Sequence, residues 1–235
     1  MFINTFYHGL TAYVRKKGEI MLTSYFTVKN YGEHEISIQK SRFIGYVKRV
    51  ETEEEAQSFI QSIQKKHHDA THNCFAYMIG DNNQIQKAND DGEPSGTAGI
   101  PILEVIKRQN LKNTAVVVTR YFGGIKLGAG GLIRAYSQTT AEAIKATGVV
   151  KRELMQGIAI KVDYTFIGQL ENELRNSEHI IDSIDYQEKV TFNIYVQDGE
   201  EEACKKWIID LTSDNVSFEI LDSAYIEKEV DSTKE

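Results

Sequence analysis

Apolar positions along the chain change their period several times, and each change marks a predicted element. From Met21 onward, short runs rich in β-branched and aromatic residues predict strands at 26–28, 35–38 and 43–47. Thr52, followed by three glutamates, is typical of a helix start, and apolar residues then recur at helical spacing as far as Ile63. We expect a buried strand over 72–79 and a short partner strand over 84–87.

The middle of the chain predicts a short helix over 101–109, a central strand over 115–119 and a long helix over 132–146. The strand is apolar without interruption, as in a strand covered on both faces. The long helix is entered through four residues at 128–131 and is closed by Gly148.

Beyond residue 154 the predicted order is strand, helix, strand, strand, helix, strand. These elements lie at 157–162, 167–174, 180–185, 190–196, 201–211 and 216–226. A βαββαβ order of this length predicts a ferredoxin-like domain, with one sheet and two helices on one of its faces. The fold class is therefore α+β.

The length of 235 residues and the 41% apolar content suit two small soluble domains. We interpret residues 1–20 as an extension outside the fold, with a real amphipathic appendage as the alternative. The first domain then spans 21–150 and the second 155–230. No apolar run reaches the ~20 residues that cross a bilayer, so we expect no membrane partner. The two cysteines are too few and too far apart for a disulfide framework, which favours a cytoplasmic location.

Charge is distributed unevenly. The net charge is −7, yet residues 101–152 carry nine Lys or Arg against two acids, a local +7. Residues 153–235 carry seven basic and twenty acidic residues, a local −13. The basic stretch favours an anionic partner, whereas the acidic stretch disfavours direct phosphate binding and favours a protein partner.

The glycine-rich segment after the central strand is the strongest candidate binding site. Glycines allow positive φ, so that consecutive N–H groups can converge on an anion beside the positive end of the next helix. Arginine and lysine add charge, and aromatic rings can stack on bases. We expect phosphate or nucleic acid to bind Arg120, Tyr121, Gly123, Gly124, Lys126, Gly128, Gly130, Gly131 and Arg134. The alternative is that the glycines only allow close packing, which would place Tyr121 and Phe122 in the core.

An acidic Gly/Pro loop precedes this segment, with carboxylates at Asp90, Asp91 and Glu93. Oxygen ligands on a tight loop suit Mg²⁺, so magnesium is a possible cofactor. The favoured structural alternative is that Asp90 or Asp91 pairs with Arg120 or Arg134 and holds the motif rigid.

Other polar residues near the loop have structural interpretations. Ser95 or Thr97 would cap the helix that follows. Cys74 lies in an apolar strand run next to His72, so we interpret it as a buried structural cysteine and not as a nucleophile. We assign no catalytic residue.

Four blocks of sequence together identify a family; they lie at 40–43, 71–77, 89–99 and 117–136. Through them, the chain from residue 21 onward resembles the IMPACT family, also called the YigZ family. The resemblance implies an N-terminal domain of the ribosomal protein S5 domain 2-like fold. It further implies a C-terminal ferredoxin-like domain similar to a domain of elongation factor G, as in bacterial two-domain members.

The resemblance also bears on function. Eukaryotic members regulate translation through a partnership that depends on an additional N-terminal domain, and we do not expect that partnership here. For bacterial members the resemblance implies association with nucleic acid or the ribosome. Our leading hypothesis is a non-enzymatic, translation-linked regulator that binds RNA or the ribosome through the basic glycine-rich surface. The alternative is a Mg-dependent enzyme or binder that acts on a nucleotide or another phosphate-containing small molecule.

Overall fold

A computed structural model describes residues 5–8, 11–16 and 19–230 of the chain, with side chains from Met21 to Val230. The chain divides into two compact units. The unit that we call central, because it takes the middle of the sequence, comprises Tyr25–Lys151 and residues 228–230. The unit that we call outer, because its parts precede and follow that stretch in the sequence, comprises Arg152–Glu227 and the described residues up to Ser24.

Three short strands near the start of the chain form an antiparallel sheet in the order β1-β2-β3. They are β1 (Thr5–His8), β2 (Thr11–Lys16) and β3 (Glu19–Leu22). The sequence pattern did not predict them. Our interpretation of residues 1–20 as an extension outside the fold falls partly on residues that the structure does not describe, and it stays a prediction.

The next elements follow the predicted order closely. They are β4 (Ser24–Val28), β5 (Tyr31–Ile38), β6 (Ser41–Arg49), α1 (Glu53–Lys66), β7 (His72–Ile79), β8 (Ile85–Asn89), α2 (Gly99–Arg108), β9 (Thr114–Tyr121) and α3 (Gly128–Thr147). Two predicted helix ends are confirmed. The Thr52 hydroxyl accepts the N–H of Glu55 at 3.2 Å at the start of α1. Gly148, with φ of 84°, closes α3.

The central unit is built on an antiparallel sheet in the order β5-β6-β9-β7-β8. Successive side chains along each strand point to opposite faces of the sheet. Both faces are buried, because helices cover each of them. One face packs on α1, through residues such as Tyr46 and Val117. The other packs on α2 and α3, through residues such as Phe43 and Val118. β9 lies in the middle of the sheet and leads directly into the glycine-rich segment.

The outer unit has the predicted strand–helix–strand–strand–helix–strand order. Its elements are β10 (Val149–Val162), α4 (Ile167–Arg175), β11 (Ile180–Tyr186), β12 (Val190–Gln197), α5 (Glu201–Thr212) and β13 (Val216–Glu229). The strands lie in the order β11-β12-β10-β13. One cluster of buried side chains from β10, α4, β12 and α5 forms the core. β10 begins eight residues earlier than predicted, and Val150 and Leu154 are buried within it.

Candidate nucleic-acid interface

Arg120, the first residue of the predicted binding segment, lies inside the central unit. It is the penultimate residue of β9 and is only 5% exposed. Its Nη1 donates to Oε1 of Glu93 at 2.6 Å, and its guanidinium lies 5.3 Å from the ring centroid of Phe43. A side chain held in this way supports the surface from beneath and does not project into solvent.

Glu93 is the centre of a buried polar network. The same carboxylate oxygen that binds Arg120 also accepts the hydroxyl of Tyr136 at 2.8 Å. Its second oxygen lies 3.8 Å from Nε2 of His72. Burial is the largest of several effects that raise the pKa of Tyr136, so its hydroxyl stays protonated and can donate. The network thus links the acidic loop, β9 and α3 through one carboxylate.

This arrangement corrects our predicted ion pairs, because the loop partner of Arg120 is Glu93 and not Asp90 or Asp91. The two aspartates are already occupied by backbone N–H groups. Asp90 accepts from Gly96 at 2.8 Å, and from the two residues at the start of α2, at 3.0 and 2.8 Å. Asp91 accepts the N–H of Asn73 at 2.6 Å. The longer glutamate side chain reaches inward, where the shorter aspartates do not.

Asp90 also replaces the helix caps that we predicted. α2 begins after Ala98, and no side chain of the neighbouring residues caps it. The Thr97 hydroxyl donates to the carbonyl of Pro94 at 2.6 Å instead. Burial would raise the pKa of the Asp90 carboxyl, but its three backbone donors outweigh burial and lower that pKa. The carboxylate therefore stays ionised beside the positive end of α2.

The acidic loop thus uses its carboxylates within the protein. Among the described residues, no group of three or more His, Cys, Asp or Glu side chains is arranged to hold a metal ion. Cys74 is buried, as predicted, and its thiol donates to the carbonyl of Asp90 at 2.9 Å. Burial raises the pKa of this thiol, which makes it a poor nucleophile.

Tyr121 faces the α1 side of the sheet. Its hydroxyl donates to Asp69 at 3.0 Å and lies 2.9 Å from Nδ1 of His67. The ring lies under the guanidinium of Arg42, 5.3 Å from its centroid. Since both the hydroxyl and the ring are engaged, Tyr121 contributes to the structure of this edge. Its neighbour Phe122 is 45% exposed and lies outside the core, contrary to the packing-only alternative.

The glycines of the segment serve different purposes. A Cβ on Gly123 would overlap the backbone of Lys40, which belongs to the turn between β5 and β6. Only glycine fits at position 123 beside this turn. Gly124 and Gly128 have φ of 84° and 69°, and a Cβ on either would meet nothing within 4 Å. Gly130 lies in the first turn of α3, where a Cβ would meet only the tip of the Arg134 side chain. Close packing therefore explains Gly123 but not the other three.

The remaining predicted residues are exposed, except for the half-buried Gly131. Together with the exposed Phe122 they make up what we call the glycine-turn surface, which comprises Phe122, Gly124, Lys126, Gly128, Gly130, Gly131 and Arg134. Within the part of the chain that the structure describes, neither Lys126 nor Arg134 forms an ion pair or a side-chain hydrogen bond. α3 begins here without a side-chain cap and without an acidic residue in its first turn. Positive charge and a helix start without a side-chain cap thus lie in one segment.

One residue at this edge escaped the sequence prediction of the site. Lys40 is exposed, lies in the left-handed region with φ of 66° and follows Gln39, with φ of 45°. The Lys40–Ser41 backbone packs against Gly123, whose N–H donates to the Ser41 hydroxyl at 3.1 Å. The resemblance block at 40–43 was the available signal, but sequence alone did not show that this turn lies beside the glycine-rich segment.

Two domain families match this chain. The Impact N-terminal domain family matches residues 39–144, and a domain of unknown function, DUF1949, matches residues 160–215. The IMPACT family member YvyE of Bacillus subtilis is 56% identical over 92% of this chain and 99% of its own length. An IMPACT family member of Thermus thermophilus is 36% identical over 74% of this chain and 95% of its own length.

The chain therefore belongs to the IMPACT family, as the sequence blocks indicated. A solved structure described as that of a hypothetical protein is 27% identical. It matches 86% of this chain and 99% of its own, with a TM-score of 0.55. The fold is mixed α/β, with an Impact N-terminal domain followed by a second domain. No helix among the described residues is long and apolar enough to span a membrane.

Proposed function

We propose that this protein is a non-enzymatic, translation-linked regulator that binds RNA or the ribosome through the glycine-turn surface. The observation that carries the proposal is that Lys126 and Arg134 are exposed and unpaired among the described residues, in a segment where Gly124 and Gly128 would have nothing within 4 Å of a Cβ. Cations without protein partners on open backbone suit a phosphate ligand. Arg120 holds the surface in place from inside.

The fold assignments are part of the same proposal. The β11-β12-β10-β13 strand order supports a ferredoxin-like outer unit, because the first and third strands of the βαββαβ unit lie side by side. The antiparallel sheet with α1 on one face and α2 and α3 on the other supports the S5 domain 2-like assignment for the central unit. Through the family resemblance, the two folds are those of components of translation, namely ribosomal protein S5 and elongation factor G.

The outer unit has a different proposed partner. Its sequence carries most of the −13 local charge of residues 153–235, and phosphate would be repelled. We therefore assign RNA contact to the central unit and a protein contact to the outer unit. Two buried free cysteines fit a reducing, cytoplasmic location for this activity.

Ribosome co-sedimentation across a salt series tests the proposal. Lys126→Ala/Arg134→Ala removes both cations, and we expect weaker association together with a plot of log K against log salt that is shallower by roughly 1.4–1.8. The matched control is Lys87→Ala/Lys145→Ala, which removes the same charge from exposed positions of the same unit. The control should co-sediment like the unchanged protein.

Two outcomes would contradict the proposal. If the unchanged protein fails to associate at low salt, the ribosome is not its target, and labelled RNA then tests the remaining part. If both double variants weaken association equally, net charge and not this surface carries the binding. Circular dichroism of each variant establishes that the fold is intact.

A further inference from the structure

Phe122 is the feature of the glycine-turn surface that charge alone does not explain. An exposed aromatic ring at the end of a central strand contributes little to the core, and here 45% of the residue is open to solvent. The Arg120 guanidinium lies 5.4 Å from its ring centroid. A cation at this distance from an aromatic ring attracts it, so the ring is held in a defined place.

Phe122 contacts groups that are themselves paired or hydrogen-bonded. Arg120 is fixed by the carboxylate of Glu93 and lies between the rings of Phe43 and Phe122, at 5.3 and 5.4 Å from their centroids. The backbone of Phe122 is held as well, since its N–H donates to the Thr71 hydroxyl at 3.0 Å. The next residue, Gly123, packs against the turn that carries Lys40. The ring is therefore a pre-organised platform and not the tip of a loose loop.

One cation lies near Phe122 in the sequence, and another lies near it in the fold. Lys126 follows Phe122 by four residues, and the exposed Lys40 belongs to the turn that packs on Gly123. Gln39 and Lys40 both adopt positive φ without being glycine, which is a costly backbone conformation. The turn thus holds a lysine, and not the glycine that its geometry favours, next to the aromatic platform.

We propose that the glycine-turn surface recognises single-stranded RNA, with one unpaired base stacked on Phe122 and the adjoining phosphates bound by Lys126 and Lys40. A duplex keeps its bases stacked inside the helix, so only an unpaired base can offer its face to a ring. Lys40 becomes a binding residue that the basic glycine-rich motif did not include. This inference rests on the proposed function and deepens it.

Fluorescence anisotropy with the full-length protein tests the inference. The probes are a labelled single-stranded 12-nucleotide RNA and a labelled RNA hairpin stem of equal phosphate number. We expect the single strand to bind at least tenfold more tightly. Phe122→Ala should lower affinity for the single strand about 5- to 150-fold, the range measured for losing one base stack. Phe122→Trp should restore most of it, and Phe122→Leu should not, because only an aromatic ring stacks.

Tyr186→Ala is the matched control, since Tyr186 is an aromatic residue of the acidic outer unit that is 60% exposed. It should bind the single strand like the unchanged protein. Lys40→Ala should weaken binding and reduce its salt dependence, while Lys40→Arg should retain both. Because Phe122 and Lys40 are exposed, circular dichroism should show these variants folded.

Three outcomes separate the possible failures. Equal affinity for strand and hairpin, unchanged by Phe122→Ala yet lowered by Lys126→Ala/Arg134→Ala, overturns the single-strand inference and leaves the proposed function standing. Binding of free AMP or UMP as tightly as the RNA, and lost in Phe122→Ala, assigns the platform to a free nucleotide and overturns the RNA source. No binding of any RNA at low salt overturns the proposed function itself.

Discussion

The acidic loop at 90–99 and the glycine-turn surface attract attention in the sequence for similar reasons, but the structure uses them in opposite ways. In the loop, the carboxylates of Asp90, Asp91 and Glu93 all accept hydrogen bonds from the protein. On the surface, Lys126 and Arg134 have no partner among the described residues. One polar motif builds the fold, and the other is presented to solvent.

In the function that we propose, the exposed surface is supported by groups that do not themselves bind the ligand. The loop provides Glu93, which fixes Arg120, and Arg120 in turn supports the ring of Phe122. The acids of the loop are paired inside the protein, so they do not pair with the exposed Lys126 and Arg134. Variants of the acids should therefore change stability, whereas variants of the exposed cations should change binding.

The largest effect should come from Glu93→Ala. The substitution leaves the buried Arg120 charge unpaired and the Tyr136 hydroxyl without its acceptor. Removing one partner of a buried ion pair costs about 3–5 kcal/mol in the free energy of unfolding. Urea denaturation followed by far-UV circular dichroism measures this loss.

The control for Glu93→Ala is the double variant Glu93→Ala/Arg120→Met. Without the guanidinium there is no unpaired charge, so the double variant should recover part of the lost stability. A loss below about 1 kcal/mol in the single variant, or no recovery in the double variant, would show that the network is not a structural support.

Asp90→Asn should have the next largest effect. The amide oxygen can accept hydrogen bonds but carries no charge, so the substitution should cost about 1–3 kcal/mol at pH 7. The folded-state pKa of Asp90 is lowered, so its stabilisation is present above the unfolded pKa of about 3.9 and is lost as pH falls through the folded value.

Denaturation of the unchanged and Asp90→Asn proteins from pH 7 to pH 2.5 checks this sign. Their difference in unfolding free energy should be constant near neutral pH and should shrink in acid. A difference that is independent of pH over the whole range would mean that the Asp90 charge contributes nothing, and that only the shape of the side chain matters.

Most helices and strands of this fold could be predicted from local sequence patterns. The strands and helices of the central and outer units appear in the predicted order, because their apolar periods, the Thr52 cap and the Gly148 stop are local signals. The early start of β10 was missed, since its first residues mix charged and apolar types. β1, β2 and β3 were missed as well, because the apolar groups there were interpreted as an extension.

The site was harder to predict, because its roles depend on which side chains meet across the fold. Sequence placed Arg120 in the binding segment but did not show that the alternation of β9 turns it inward toward Glu93. It likewise could not assign the helix-capping role to Asp90, eight residues before the cap position. Lys40 is far from Gly123 in sequence, so only the sheet brings them together.

Gly123 and Gly130 give the sharpest test of the comparison within the glycine-turn surface. A Cβ on Gly123 overlaps the Lys40 backbone, so Gly123→Ala should lose about 1–3 kcal/mol of stability through overpacking. Thermal or urea denaturation provides the measurement. A neutral Gly123→Ala would mean that the β5–β6 turn is free to move away, and that Lys40 is not held in place.

Gly130→Ala should have the opposite sign and the smallest size. Gly130 is helical, and a Cβ would meet only the flexible end of Arg134, so alanine should stabilise α3 by about 0.5–1 kcal/mol. The same methyl group lies on exposed backbone where an RNA phosphate would approach, so association with the ribosome should weaken while stability rises. Such opposed effects separate binding from folding, because damage to the fold would lower both. If Gly130→Ala is more stable and binds ribosomes as well as the unchanged protein, then the open backbone at the start of α3 is not a contact, and the phosphates must be bound by side chains alone.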